Sequence, residues 1–241
     1  MLSLVLGVLA ATLAILHALP DDNATQATVS QALHQFRHAQ KESSRRKEAD
    51  GLAAPGVYRY RTHGQEEFNG LLSASHNYNG VSSVVVTPHS CGISERWQVL
   101  SERWTASVAC LDGSKLDFVQ LTEYHEFFGT VTETFYQCAQ LARGYVARCT
   151  SAGNLLLNRS RIIGIEPIQV GGRSFESVHR RSTITFSGEM NGRAKSDEWR
   201  RRSDELLLKK RFNSTAKVDA GGGGTYRERY GLSLVSPRPR R

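Results

Sequence analysis

The stretch RSFESVHRRSTITFSGEMNGRAKSDEWRRRSDELLLKKRF, residues 173–212, decides the fold. Val178, Ile184 and Phe186 fall on one side of an extended chain, and His179, Arg181, Thr183 and Thr185 on the other. Leu206, Leu208 and Phe212 oppose Lys209 and Arg211 in the same way. A period of two with one dry and one wet face is the mark of strands in an antiparallel sheet. Asn191-Gly192 supplies a tight-turn signal, because both central residues of such a turn need positive φ. The strands from Arg173 onward are long and joined by simple hairpins, which predicts an up-and-down meander.

The same alternation runs outward in both directions. Tyr226, Tyr230, Leu232 and Leu234 oppose Arg227, Arg229 and Ser233. Upstream, Tyr58 and Tyr60 oppose Arg59 and Arg61; Ile93, Trp97 and Val99 oppose Ser94, Arg96 and Gln98. Trp104, Ala106, Val108 and Cys110 oppose Thr105 and Ser107, and Leu116 and Phe118 open a further strand. Turn signals lie at Asp112-Gly113, Gly171-Gly172 and Gly221 to Gly224. Roughly ten strands are expected over residues 55–241, with no long amphipathic helix after residue 55. The expectation is a mainly β domain, a curved antiparallel meander forming a half-open barrel.

Residues 1–54 read differently. Leu2 to Leu19 is almost wholly apolar and about 27 Å long as a helix, close to the thickness of a bilayer core. No basic residue precedes it and no Ala-x-Ala closes it, so a transmembrane anchor over 2–19 is favoured over a cleaved signal peptide. Val29, Ala32, Leu33 and Phe36 recur at helical spacing, with Asn23 or Thr25 available as a cap. The charge run KESSRRKEAD follows, so residues 21–54 are expected as a helical, charged stalk ending at Gly51 to Gly56. These segments place the β domain outside the cytoplasm, with the membrane as a partner through the N-terminal segment.

Composition narrows the function. The 241 residues are 39% hydrophobic and 22% charged, with a net charge of +8, which excludes a disordered, collagenous or multi-span chain. Cys91, Cys110, Cys138 and Cys149 are an even set in an exported context, so two disulfides are expected. Cys91–Cys110 and Cys138–Cys149 each bracket a probable hairpin and are the favoured pairs. No C-x2-C or H-x3-5-H spacing points to a metal. His125-Glu126 matches the start of H-E-x-x-H, but Gly129 stands where the second histidine belongs, so YHEFFG reads as a turn with a hydrogen-bonded histidine. No nucleophile elbow, P-loop or dinucleotide fingerprint is present, so no catalytic residue and no cofactor is assigned. The basic runs alternate between faces and lack an RNP-like aromatic motif, which argues against nucleic acid.

PGVYRYRTHGQEE, TPHSCGISERWQVLSERW, TEYHEFFG, VGGRSFESVHRRSTITFSGEMNG and YGLSLVSPRPRR together resemble a group of uncharacterised exported or membrane-anchored proteins of high-GC Gram-positive bacteria. The C-terminal half looks like the lipoprotein-carrier superfamily, in which a curved antiparallel sheet half-encloses an acyl chain. The resemblance implies compartment and fold and no assigned activity. The meander of long, half-apolar strands and the absence of a catalytic motif lead to the expectation of a non-enzymatic envelope protein that holds a hydrophobic or amphiphilic molecule, a lipid or other envelope component. Tyr58, Tyr60, Trp97, Trp104, Phe118, Phe186 and Phe212 are the candidate lining residues. The alternatives are an interaction module with a filled interior and, third, a hydrolase with dispersed carboxylates.

Overall fold

The computed structural model describes residues 24–43, 51–112, 115–141, 146–219 and 223–241. The expected membrane span over residues 2–19 lies outside them; among the described residues no helix is long and apolar enough to cross a membrane. One helix, α1 (Val29–Ser43), precedes thirteen strands. These are β1 (Gly56–Gly70), β2 (Ser73–Asn77), β3 (Gly80–His89), β4 (Gly92–Gln98), β5 (Arg103–Asp112), β6 (Lys115–Phe127) and β7 (Thr130–Leu141). Then come β8 (Val146–Ser151), β9 (Asn154–Val170), β10 (Arg173–Ser187), β11 (Met190–Arg201), β12 (Leu207–Val218) and β13 (Gly224–Leu234).

Every described pairing between strands is antiparallel, and all follow chain order except those made by β1. That strand pairs with β13 from Tyr60↔Leu234 to Gly70↔Gly224, so the sheet closes on itself. The expected half-open barrel is therefore corrected to a closed ring of twelve strands. The reason is the length of β1: one edge runs along β13 while the other is shared by β3 and then β2. The handover falls at Gly64, where φ is +144° and the Tyr78 amide donates to the Gly64 carbonyl at 2.9 Å. A Cβ there would lie 2.1 Å from the Arg229 carbonyl oxygen, so only glycine fits this bend.

Thirteen strands replace the expected ten because residues 130–170 form three strands without a clean alternation. Their lumenal positions include Gln140, Asn158 and Ser160, while Val131, Phe135, Ile163 and Ile165 are exposed. Of the turn signals, Gly171-Gly172 holds, while Gly113, Gly221 and Gly222 lie outside the described residues. Gly171 and Gly172 have φ of 55° and 76° between β9 and β10, and Phe128 and Gly129 have φ of 52° and 69° between β6 and β7. Asn191-Gly192 instead lies inside β11; the Asn191 side chain braces the turn through the Gly188 amide and carbonyl.

The helix starts with a capping box. Thr28 Oγ1 accepts from the Gln31 amide and Gln31 Oε1 from the Thr28 amide, so Thr28 and not Asn23 or Thr25 is the cap. Ala32 and Phe36 bury against Val57 and Val85 on the outside of β1 and β3. The helix expected as a stalk thus lies on the barrel wall, and Leu52 and Ala53 behind it join the main core. Val57 and Arg240 exchange backbone hydrogen bonds, tying the C-terminus back to β1.

Outward positions on β10 to β13 are mostly charged or polar, with Trp199 stacked on His179 as an exception: Arg181 and Thr183, Arg193 and Lys195, Arg211 and Lys217, Arg227 and Arg229 are all exposed. A membrane-spanning barrel shows the opposite, an apolar band facing lipid. Both expected disulfides are present. Cys91–Cys110 has a Cα separation of 4.7 Å, and Cys138–Cys149 joins directly opposed residues of β7 and β8. They place folding in an oxidising, extracytoplasmic environment. The bridges span 19 and 11 positions of chain, worth about 3 kcal/mol each by restriction of the unfolded state. Urea unfolding with and without reductant should show a loss of about 2–4 kcal/mol per bridge, and non-reducing peptide mapping should recover these two pairs. Four free thiols in the mature protein would contradict this structure.

Candidate ligand cavity in the barrel lumen

Twelve strands enclose more space than side chains readily fill, since eight already suffice for a packed or ligand-sized interior. Here the lumen is divided. On the side of β1, β3, β4, β12 and β13 it is packed by Tyr58, Tyr60, Tyr78, Trp97, Leu208, Tyr230 and Leu232. Trp97 stacks on Tyr230 at 4.6 Å and donates its indole N–H to Ser82 Oγ. The Tyr60 hydroxyl donates to the Leu207 carbonyl at 2.6 Å, and the Tyr58 hydroxyl to Ala54. Burial pushes Tyr58 and Tyr230 up to about 12, so both hydroxyls stay neutral donors.

On the side of β6 to β11 the lumen stays open as a cavity of about 360 Å³. Strand register sorts its wall into rows. Leu156 lies opposite Phe186, and with Leu121, Ile184 and the Cys138–Cys149 disulfide they form an apolar end. Two rows along, Ser160, Ser182 and Ser196 stand side by side on β9, β10 and β11, with Ser160 and Ser182 hydroxyls 2.7 Å apart. In the next row, Arg180, Glu198 and Lys210 follow one another on β10, β11 and β12. The cavity thus grades from apolar through hydroxyl to charged.

Two buried ion-pair networks brace the packed side. Arg200 holds Glu95 across the lumen through both terminal nitrogens at 3.1 and 2.9 Å, and its Nε lies 3.2 Å from Glu198. Lys210 contacts the other Glu198 oxygen at 3.0 Å. The second network joins Arg103 to Glu228 at 2.9 and 3.1 Å, with the Tyr78 hydroxyl donating to Glu228. Glu66 beside it is fully buried and meets His76, His125 and the Tyr226 hydroxyl at 2.8, 3.0 and 3.0 Å. Burial works against the Glu66 charge, but hydrogen bonds with His125 and His76 and the Arg103 charge outweigh it and hold its carboxyl well below the ordinary range. Glu198 is likewise opposed by burial and held low by Lys210 and Arg200.

The proposed lining residues separate by this geometry. Phe118, Phe186 and Phe212 line the cavity; Tyr58, Tyr60 and Trp97 belong to the packed side. Trp104 faces outward, against expectation, stacked on Tyr124 at 5.1 Å with the Arg96 guanidinium 3.9 Å over its ring. On β5 the lumenal face is the less apolar one, Arg103, Thr105, Ser107 and Ala109, because Arg103 has a carboxylate waiting inside. His125 is hydrogen-bonded to Glu66 next to the Phe128-Gly129 turn, as YHEFFG suggested. Sequence reasoning missed the lumenal Arg180, Glu198, Arg200 and Lys210, which hide inside basic runs; the signal was their even spacing from Ile184, Trp199's neighbours and Phe212. His89 Nδ1 lies 3.3 Å from Cys91 Sγ, but both sulfurs near it are joined in the disulfide and offer no thiolate for a metal.

Because Glu66 and Glu198 have lowered pKa values in the fold, the stability they contribute is present above the ordinary carboxylate range and lost as pH falls. The unfolding free energy should be flat from pH 8 to about 5 and drop below about 4. Glu198→Gln should reduce that acid-side slope and, by stranding Lys210, cost about 3–5 kcal/mol at neutral pH in urea unfolding. An unchanged slope would place the protons elsewhere.

No protein-family model, curated protein or solved structure matches this chain, so its reading rests on the lumen itself.

Proposed function

We propose that the protein binds a small hydrophobic or amphiphilic molecule inside its barrel and performs no chemistry on it. The observation that carries this reading is the undivided cavity of about 360 Å³ beside an otherwise packed lumen. That volume lies in the range of small-molecule sites, which are mostly apolar with a few placed polar groups. Phe118, Leu121, Leu156, Ile184 and Phe186 supply the apolar part. The packed side and its ion pairs act as a rigid back wall, so binding needs no collapse or reordering of the core. The disulfides support an extracytoplasmic place of action, and the apolar run 2–19 would tether the barrel to the membrane there.

The chemistry of the wall gives no support to catalysis. Glu66 and Glu228 are already committed to hydrogen bonds with His76, His125, Tyr78 and Arg103, and Glu198 to Lys210 and Arg200. The lowered pKa of Glu66 and Glu198 makes both poor general bases, because it removes the driving force for taking a proton.

The test is binding of the neutral fluorophore N-phenylnaphthylamine to the whole chain, together with mass spectrometry of organic extracts of protein purified from its native host. Wild type should bind the dye at one site, and Ile184→Trp and Leu121→Trp, which fill the cavity, should weaken it at least tenfold while still melting cooperatively. Absence of dye binding by the wild type, or equal binding by both filled variants, overturns the reading.

A further inference from the structure

Resting on that cavity reading, we infer that the ligand is an amphiphile with an anionic head, and that Arg180 and Ser196 receive that head while the Leu156–Phe186 end receives its tail. The charged side chains of the wall differ in how they are engaged. Lys210 is held by Glu198, Arg200 by Glu95 and Glu198, and Arg103 by Glu228. Arg180 points into the same cavity, yet no carboxylate lies within 4 Å of it, and its buried Nε has no hydrogen-bond partner among the described residues. Glu198, its neighbour in register, is already taken by two other cations.

Ser196 adds a second, independent mark. It is 4% exposed, lines the cavity, and its hydroxyl has no hydrogen-bond partner among the described residues. A buried hydroxyl without a hydrogen bond is costly, and the group that satisfies it enters with the ligand. Arg180 and Ser182 are successive residues on the lumenal face of β10, and Ser196 is directly opposite Ser182 on β11. The guanidinium and the free hydroxyl are therefore diagonal neighbours that close on one head group. A planar guanidinium suits a carboxylate, sulfonate or phosphate.

The acidic groups of the wall do not make a rival cation site. Asp117 and Glu123 lie on β6, across the cavity, and are separated from each other by Phe118 and Leu121. Glu205 also lines the cavity and its Oε2 lacks a hydrogen-bond partner among the described residues, but its charge acts on Arg200, which binds its backbone carbonyl at 2.9 Å. In contrast, the row order from Arg180 through the serines to Ile184 and Phe186 runs along a single strand, β10, so head and tail positions are aligned on one rigid element.

The experiment displaces N-phenylnaphthylamine from the whole chain with decanoate, decanol and decyltrimethylammonium, all below their aggregation limits. Wild type should prefer decanoate to decanol by at least tenfold and bind the ammonium most weakly. Arg180→Gln should abolish the decanoate preference, read as the ratio of decanoate to decanol displacement within that variant; Ser196→Ala should weaken decanoate about threefold. Arg181→Gln, one position along but on the outer face, should change neither. Equal binding of decanoate and decanol, or a preference for the ammonium, overturns this inference and leaves the cavity reading standing. Failure of wild type to bind the dye at all removes both. The ranking of the three heads by the wild type decides the matter even if Arg180→Gln does not fold.

Discussion

The pairing of β1 with β13 is the constraint from which the rest follows. Once eleven consecutive residues of β1 are committed to β13, the sheet has no free edge there and the twelve strands must enclose a lumen. That lumen is wider than apolar side chains from opposing walls can fill. Two solutions coexist in it: bulky aromatics and cross-lumen ion pairs on one side, an unfilled cavity on the other.

Long charged side chains serve here as packing material. Arg200 reaches from β11 to Glu95 on β4, and Arg103 from β5 to Glu228 on β13, distances that no leucine spans. Burying such pairs costs desolvation, which is recovered only when every donor and acceptor is engaged. The Arg103 and Arg200 networks come close to that condition, with tyrosine hydroxyls and backbone carbonyls completing them. Arg180 and Ser196 depart from it, and they do so in the one part of the lumen that is open. Gln140 Oε1 and Glu205 Oε2 in the same wall also lack a hydrogen-bond partner among the described residues, so unmet hydrogen-bonding capacity gathers around the cavity, as expected of a polar binding surface.

The outside of the barrel is governed by water. Alternate residues on β10 to β13 present mostly charged and polar groups, among them Arg181, Arg193, Lys195, Arg211, Arg227 and Arg229, so this part of the ring offers no apolar belt. The apolar outer face of β1 and β3 is covered by the helix from Val29 with Ala32 and Phe36, while Val131 and Phe135 on β7 stay exposed. The same helix and the returning C-terminus at Arg240 lie over the strand that closes the ring, so the segments flanking the sheet in sequence reinforce its seam.

Sequence alone determined the strand class, the meander order and both disulfides. These depend on local spacing: the period-two runs of Arg173 to Phe212, glycine-bearing turns such as Gly171-Gly172, and cysteines that bracket hairpins. It also placed Phe118, Phe186 and Phe212 on an inward face. It could not determine closure, because whether β1 meets β13 depends on twist and strand tilt accumulated over twelve strands. Nor could it set the facing of β5, where Trp104 has the more apolar side but Arg103 has Glu228 to meet within. Within residues 130–170 only the Cys138–Cys149 hairpin was legible, because a lumen that is part apolar and part polar removes the contrast on which alternation depends. Spacing puts Arg180 on the face of Val178 and Ile184 and Arg181 on the opposite one, but only the closed ring shows that the first face borders an open cavity.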